Sequence, residues 1–377
     1  MTAWTEHQSS SGEIPSLNGI RAVSVFIVLL SHAGFEHFVP GGLGVTTFFF
    51  LSGYLITTLL LREHARFGSI DIYAFYVRRF FRLMPPLLIT LVIAYGLTFA
   101  GILPGHITLE GIASQLLYFA NYLEVFFQGS ERVPTGTSVL WSLAVEEHFY
   151  MVFPVLMSIA FAAGFSGRAK ILFAAAICIL VLGWRCHLVY GLGVSDVRTY
   201  YASDTRIDSI IYGCILAFCL WPPKMRQPNS GRMTVGDHIA LAGAGLLLLF
   251  TFVYRDPQFR ETFRYSIQGI ALMPIFYLAV MKPQSWPFVL LNSRIAVRIG
   301  IYSYSIYLIH RVIIVALVDN YPALGGQPVL QAAFAFILSL AYAALIDRFV
   351  DSYFRRQRAA FHRTPTVDPV PVKRAAA

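Results

Sequence analysis

Long apolar runs recur along the chain, divided by short polar and basic segments. Ten of them approach 20 residues, at 17–35, 43–61, 84–102, 140–162, 171–190, 207–221, 239–254, 266–281, 298–318 and 329–347. A helix rises about 1.5 Å per residue, so runs of that length match the roughly 30 Å hydrocarbon core of a bilayer. The pattern predicts an all-α, polytopic transmembrane helix bundle of about ten spans. An eleventh stretch, LEGIASQLLYFANYLEVFF at 109–127, is apolar but holds Glu110, Gln115, Asn121 and Glu124. It is expected to be partly embedded or re-entrant, because its polar groups need protein or water as neighbours. A full crossing there would make eleven spans and separate the termini.

Composition agrees with the pattern. The 377 residues are 56% hydrophobic and 13% charged, with a mean hydropathy of +0.62. Soluble domains are about 25% charged, so a string of globular domains is excluded. The net charge of +9 would point a soluble protein towards nucleic acid. In a membrane bundle it places basic loops against anionic lipid, so membrane lipid is the expected partner and nucleic acid is not. Twenty Lys and Arg fall on the side that holds both termini and seven on the other, among them Arg185 and Arg206. This predicts cytoplasmic termini. Residues 1–15 are polar and lack Lys and Arg; no cleavable signal is read there, and the first span is expected to act as an uncleaved anchor. The organisation expected is a cytoplasmic segment 1–16, a membrane domain 17–356, and a basic, disordered cytoplasmic tail 357–377. Cys178, Cys186, Cys214 and Cys219 show no CxxC or CxxH spacing, so neither a disulfide framework nor a metal site is inferred.

Ionisable residues inside apolar spans need pairing or water, and several occur. Arg21 and His32 are eleven residues apart in the first run. At 100° per residue they share a helix face, about 16 Å apart along the axis. A snorkelling arginine and an interhelical histidine bond would explain each alone; one groove seeing both favours function. In IYAFYVRRFFRLMPP, residues 72–86, Arg79 and Arg82 are i, i+3 neighbours. They are either headgroup anchors on an interfacial helix or an anion clamp. In TSVLWSLAVEEHFYMVFP, residues 137–154, Glu146 and Tyr150 share a face. Asp204, Arg206 and Asp208 alternate in charge, as an internal ion-pair network would. Ser303, Tyr304, Tyr307 and His310 form a polar stripe suited to interhelical hydrogen bonds. No G-x-S-x-G elbow, P-loop, G-x-G-x-x-G or H-E-x-x-H occurs.

These residues resemble the membrane acyltransferase-3 family, the bacterial integral-membrane O-acyltransferases. The resemblance covers about 17–356 through SLNGIRAVSVFIVLLSHAG, GGLGVTTFFFLSGYLITTLLLRE, FYVRRFFRLMPPLL, LWSLAVEEHFYMVFP, TRIDSIIYGCILA and GIYSYSIYLIH, in that order. It implies transfer of an acyl group, most often acetyl from cytoplasmic acetyl-CoA, to a hydroxyl of a carbohydrate or lipid-linked sugar at the bacterial cytoplasmic (inner) membrane. By position His32 takes the essential histidine and Arg21 its arginine partner. Arg79 and Arg82 take the arginines of the cytoplasmic segment, and Trp141, Glu146, Phe149 and Tyr150 the outer motif. The site expected from the resemblance and the polar residues together has His32 and Glu146 as catalytic, Arg21, Arg79 and Arg82 as donor-binding, and Trp141, Tyr150, Asp208, Tyr304 and His310 as substrate-binding, with no metal. The chain departs from the family pattern at His148, where Gln is usual, at Arg311, where Trp often follows the histidine, and at Asp347, in LIDRFVDSYFRR without the usual Glu-x-Pro. It also lacks the SGNH-type esterase-like domain of longer relatives, so the bundle is expected to act alone or hand its acyl group to a partner.

The chemistry these residues can do is specific. An imidazole can take the proton of a hydroxyl as it attacks a thioester. A carboxylate such as Glu146 can orient that imidazole or bind the acceptor. Transfer can be direct or pass through an acyl group on His32. The rival class is a transporter or channel for a polar or anionic solute, since intramembrane charges also mark pathways; no repeats or paired broken helices speak for it. Exopolysaccharide, O-antigen, lipid-linked sugar, peptidoglycan and small natural products all remain open as acceptors.

Overall fold

The computed structural model describes residues 14–222 and 232–361. The segment up to residue 13, the loop cations Lys224 and Arg226, and the basic tail beyond 361 lie outside the described residues. Among the described residues there are helices and no strand, only an isolated bridge between Gly105 and Pro134. In chain order the helices are α1 (Pro15–Leu30), α2 (Gly41–Phe67), α3 (Ile72–Phe99), α4 (Leu109–Leu116), α5 (Ala120–Phe127), α6 (Trp141–Ala162), α7 (Gly167–Cys186), α8 (Asp196–Tyr201), α9 (Ser203–Cys219), α10 (Val235–Val253), α11 (Pro257–Glu261), α12 (Phe263–Met281), α13 (Phe288–Leu291), α14 (Arg294–Asn320), α15 (Pro328–Leu345) and α16 (Ser352–Ala359).

Nine helical stretches among the described residues are long and apolar enough to cross a membrane. The tenth expected span is α9, at 17 residues. Large apolar side chains stay bare on the outer helix faces: Val92 is 72% exposed and Leu180 71%. Bilayer hydrocarbon, not water, suits such a surface, and the chain is a multi-pass membrane protein. The 109–127 stretch is not an eleventh span. It breaks into α4 and α5, each of 8 residues, with Tyr118 at φ 59 in the joint. Each piece is about 12 Å long, far short of a crossing. Its buried amide groups donate to protein partners: Gln115 to Thr137 at 2.7 Å, and Asn121 to Ser203 at 2.9 Å.

The basic segment at 72–86 is not a separate interfacial helix. Asp71 caps α3 by accepting from Ala74 N at 2.9 Å, and α3 then runs unbroken through Pro85 and Pro86 into the membrane. Arg79 and Arg82 therefore belong to a spanning helix.

The core is assembled where small residues let backbones approach. α2 and α9 cross at Gly53 and Gly213. A Cβ on Gly53 would overlap the Ile210 carbonyl, and one on Gly213 would overlap the Phe50 carbonyl. α1 meets α14 in the same way, with Gly300 against the Asn18 backbone. These two crossings bring α1, α2, α6, α9 and α14 around a shared interior, and α10 packs on α12 at the periphery.

Candidate active site

α1 ends in a wide turn, Ser31–Phe35, that breaks at Gly34, whose φ of 94° suits glycine. His32 lies in this turn. Wide turns of this kind often mark functional positions. Its Nδ1 is 2.8 Å from His310 Nε2 on α14, and the two rings are nearly parallel, 5.1 Å apart. His310 Nδ1 is in turn 2.7 Å from the Tyr307 carbonyl oxygen. A carbonyl can only accept, so His310 Nδ1 carries a proton and, with both rings neutral, its Nε2 is an acceptor. His32 Nδ1 must then donate to it. The proton positions follow from this chain of partners, and they leave His32 Nε2 with a bare lone pair.

His32 lines a cavity of about 140 Å³ together with Ser31, Trp141, Tyr200, Tyr201 and Arg311. Trp141 forms its wall, packed against Tyr200 and Tyr201 with ring centroids 4.9 Å away in both cases. Burial pushes the Tyr201 phenol up to about 12; it stays protonated and can donate at physiological pH. Behind the wall, the fully buried Arg206 lies 4.0 Å over the Tyr265 ring and 5.1 Å over that of Tyr200. It donates to the Tyr200 carbonyl and to Thr46 Oγ1, both at 3.2 Å.

A second cluster lies between α2, α3 and α6. Ser52 Oγ donates to Glu146 Oε1 at 2.9 Å. The Tyr150 hydroxyl is 2.9 Å from Ser52 Oγ and 3.3 Å from Glu146 Oε2. The Arg79 guanidinium covers the Tyr150 ring at 4.0 Å. Arg21 and Arg79 both act electrostatically on Glu146 and on Arg82. Three arginines and a carboxylate from α1, α3 and α6 thus lie close enough to act on one another. Arg21 donates to Ser303 on α14 at 3.2 Å. Arg21 and His32 therefore reach the same helix at positions seven residues apart, two turns along one face, as their spacing in the sequence predicts.

The sequence model of the acyltransferase domain matches residues 14–348. The chain belongs to the acyltransferase-3 family. O-acetyltransferase OatA of Staphylococcus aureus (strain NCTC 8325 / PS 47) is 32% identical over 364 residues, covering 93% of this chain and 59% of that protein. A second protein, from Staphylococcus aureus (strain COL) and provisionally named an O-acetyltransferase, is 32% identical over 355 residues, covering 91% of this chain and 58% of its own length. The chain thus spans a little under three fifths of the curated relatives it matches. No solved structure matches it.

Within this acyltransferase-3 bundle, several residues marked in the sequence have partners other than those expected. Glu146 does not orient His32: its partners are Ser52 and Tyr150, and the group behind His32 is His310. His310, expected among substrate-binding residues, has 0% exposure and both ring nitrogens engaged, by His32 and by the Tyr307 carbonyl. Asp208 is also sealed off. It receives two bonds from Arg185, at 2.9 and 2.7 Å, and one from Ser266 at 3.0 Å, with both ionic side chains at 0% exposure. Tyr304 donates to the Leu83 carbonyl at 2.8 Å, tying α14 to α3 just before its prolines. Nor do Asp204, Arg206 and Asp208 pair with one another: Asp204 bonds Arg198, Asp208 bonds Arg185, and Arg206 is caged by rings. Arg185 and Arg206 are buried in helices and leave the loop tally, which keeps its bias.

The departures from the family pattern are accounted for differently. His148 bonds Ser203 at 2.7 Å and stacks near Tyr122. Asp347 pairs with Arg355 at 2.7 Å on the surface. Arg311 lines the His32 cavity. Sequence reasoning also missed Ser52, Tyr200 and Tyr201. Ser52 lies in an ordinary apolar run; only its place next to Gly53, at the α2–α9 crossing, set it apart.

Proposed function

We propose that this protein is a membrane O-acyltransferase of the bacterial inner membrane. It moves an acyl group, acetyl in the first instance, from acyl-CoA to a hydroxyl of a carbohydrate acceptor, with His32 as the base. The observation that carries this reading is the chain from His32 Nδ1 through His310 to the Tyr307 carbonyl, which leaves His32 Nε2 as a free base in a cavity lined with hydroxyl groups. The names of the curated relatives support acetyl as the group moved.

The acceptor hydroxyl gives its proton to His32 Nε2 as its oxygen bonds to the thioester carbonyl carbon. The carbon–sulfur bond then breaks, and the proton on His32 neutralises the departing thiolate. His310 accepts from Nδ1–H throughout, so the ring cannot turn over into the tautomer that lacks a base at Nε2. The donor's phosphates match Arg21, Arg79 and Arg82, since arginine pairs with phosphate oxygens in a bidentate way. The pantetheine arm then covers the roughly 16 Å between the arginine end and His32. Glu146, held by Ser52 and Tyr150, belongs to the donor side of this path.

The test is release of CoA from acetyl-CoA by purified protein in nanodiscs, dependent on an added hydroxyl acceptor. Release that ignores every acceptor, in a protein that instead moves solute across liposomes, would replace the enzyme reading. Arg79→Ala and Arg82→Ala are each expected to raise the acetyl-CoA KM about tenfold or more, because charge-assisted contacts are worth ~1.5–3 kcal/mol. An unchanged KM in both variants would leave only headgroup anchoring for these arginines. The charge bias supports termini on the cytoplasmic side, where this donor is found. A cysteine placed in the tail should resist membrane-impermeant maleimide in intact cells; its labelling would reverse the assignment.

A further inference from the structure

Arg311 is the feature of the His32 cavity that base chemistry does not use. It follows His310 directly on α14 and lines the same cavity as His32. Among the described residues it makes no hydrogen bond or ion pair, and its Nε is buried without a partner. No Asp or Glu is among the described residues that line this cavity. The buried acidic groups lie elsewhere: Asp208 is committed to Arg185 and Glu146 to Ser52 and Tyr150, while Glu147, whose Oε1 is buried without a partner, lines a separate cavity with Arg79. A guanidinium is charged at any physiological pH, and a partly buried cation without an anion is costly. The remaining wall is hydroxyls, an indole and apolar groups, the surface a sugar ring takes.

We propose that Arg311 selects the acceptor, and that the acceptor is a carbohydrate bearing a carboxylate on the ring, or on a substituent, next to the hydroxyl that is acylated. The inference rests on the acyl-transfer reading above and adds a substrate class to it. The donor is not the source of this anion. Its phosphates are assigned to the arginine end, about 16 Å along α1 from His32, and its thioester end is uncharged. A carboxylate on Arg311 forks onto two guanidinium nitrogens, which fixes the ring so that one hydroxyl meets His32 Nε2. Specificity of this kind is steep, because a neutral acceptor leaves the cation unpaired in the closed complex.

The experiment compares methyl β-glucuronide with methyl β-glucoside, which differ in a carboxylate against a hydroxymethyl group. kcat/KM for acetyl transfer from acetyl-CoA should favour the glucuronide about tenfold or more in the native protein. Arg311→Gln should remove that preference, and Arg311→Lys should keep part of it, both without a matching change in acetyl-CoA KM. Equal use of the two glycosides by the native protein would overturn the proposal. So would an unchanged preference in Arg311→Gln. Binding of each glycoside, followed by tryptophan fluorescence because Trp141 is in the cavity wall, gives a readout that needs no turnover. Arg311-dependent binding of the glucuronide without acetyl transfer would uphold the anion site while the acyl reading fails. Transfer to both glycosides without preference would uphold the acyl reading and reject the anion site. A thermal unfolding curve for each variant shows whether the fold is retained, and Arg311→Lys preserves the charge if Arg311→Gln does not fold.

Discussion

His32→Ala should cut acetyl transfer by about 10²–10⁴-fold, the usual contribution of a positioned general base, and by more if the histidine itself carries the acyl group. Expression, thermal stability and acetyl-CoA binding should be largely retained, because the donor's charged end is assigned to Arg21, Arg79 and Arg82. His310 separates base chemistry from mere packing. His310→Gln keeps an amide oxygen able to accept from His32 Nδ1, so it should retain more turnover than His310→Ala. In the alanine variant nothing holds the proton on Nδ1, and the ring can move it to Nε2, where no lone pair is left to act. The measurement is turnover against acetyl-CoA concentration for the three variants, beside their unfolding curves. A folded His32→Ala protein with near-native kcat would move the base to another residue. Equal losses in His310→Gln and His310→Ala would reduce His310 to a packing group.

The ordering of these effects depends on contacts that periodicity gives only in part. Arg21 and His32 could be placed on one face because both lie on one helix, where 100° per residue settles relative direction. The spans were legible for the same reason: their apolar length is fixed by the bilayer. What faces that side from α14 depends on a crossing between helices some 280 positions apart, and no spacing within either run encodes it. Glu146 illustrates the limit. Its i, i+4 relation to Tyr150 was readable and holds as a shared contact with Ser52. Its distance from His32 was not readable, because that depends on how α6 is seated against α1 and α2. The partners of Asp208 were unreadable for another reason. The alternation Asp204–Arg206–Asp208 looks like a local network, yet i, i+2 residues on a helix face different ways, and each found its partner on a different element.

Asp208→Ala should destabilise the protein by about 3–5 kcal/mol, the cost of leaving a buried ion without its counter-ion. Arg185 is the ion left behind. Its two bonds to Asp208 would vanish, while those to the carbonyls of Thr262 and Thr205 would remain; these neutralise no charge. Arg185→Ala should be comparably harmful, since it strands the carboxylate with only the Ser266 hydroxyl and the Ser209 N–H, neither of which neutralises its charge. The double variant Arg185→Met with Asp208→Leu should recover most of the loss, because matched apolar replacement removes both desolvation costs together. Thermal unfolding in one detergent for all three variants gives the comparison. If Asp208→Ala keeps native stability but loses acceptor binding, Asp208 returns to the substrate site and the buried pair loses its structural role.

Two fastenings hold α1 against α14: Arg21 on Ser303 near one end and His32 on His310 near the other. They act together as a ruler. If the donor binds as proposed, with its phosphates at one mark, the length of the pantetheine arm would decide where the thioester carbon stops, and His32 would stand at the second mark. Chain length beyond that carbon cannot be accommodated by sliding the donor back. It would then have to fit into the cavity of about 140 Å³ proposed for the acceptor. The competition for that space favours the smallest acyl groups, so the preference for acetyl would be set by the spacing of two helices and not by any pocket shaped for a methyl group.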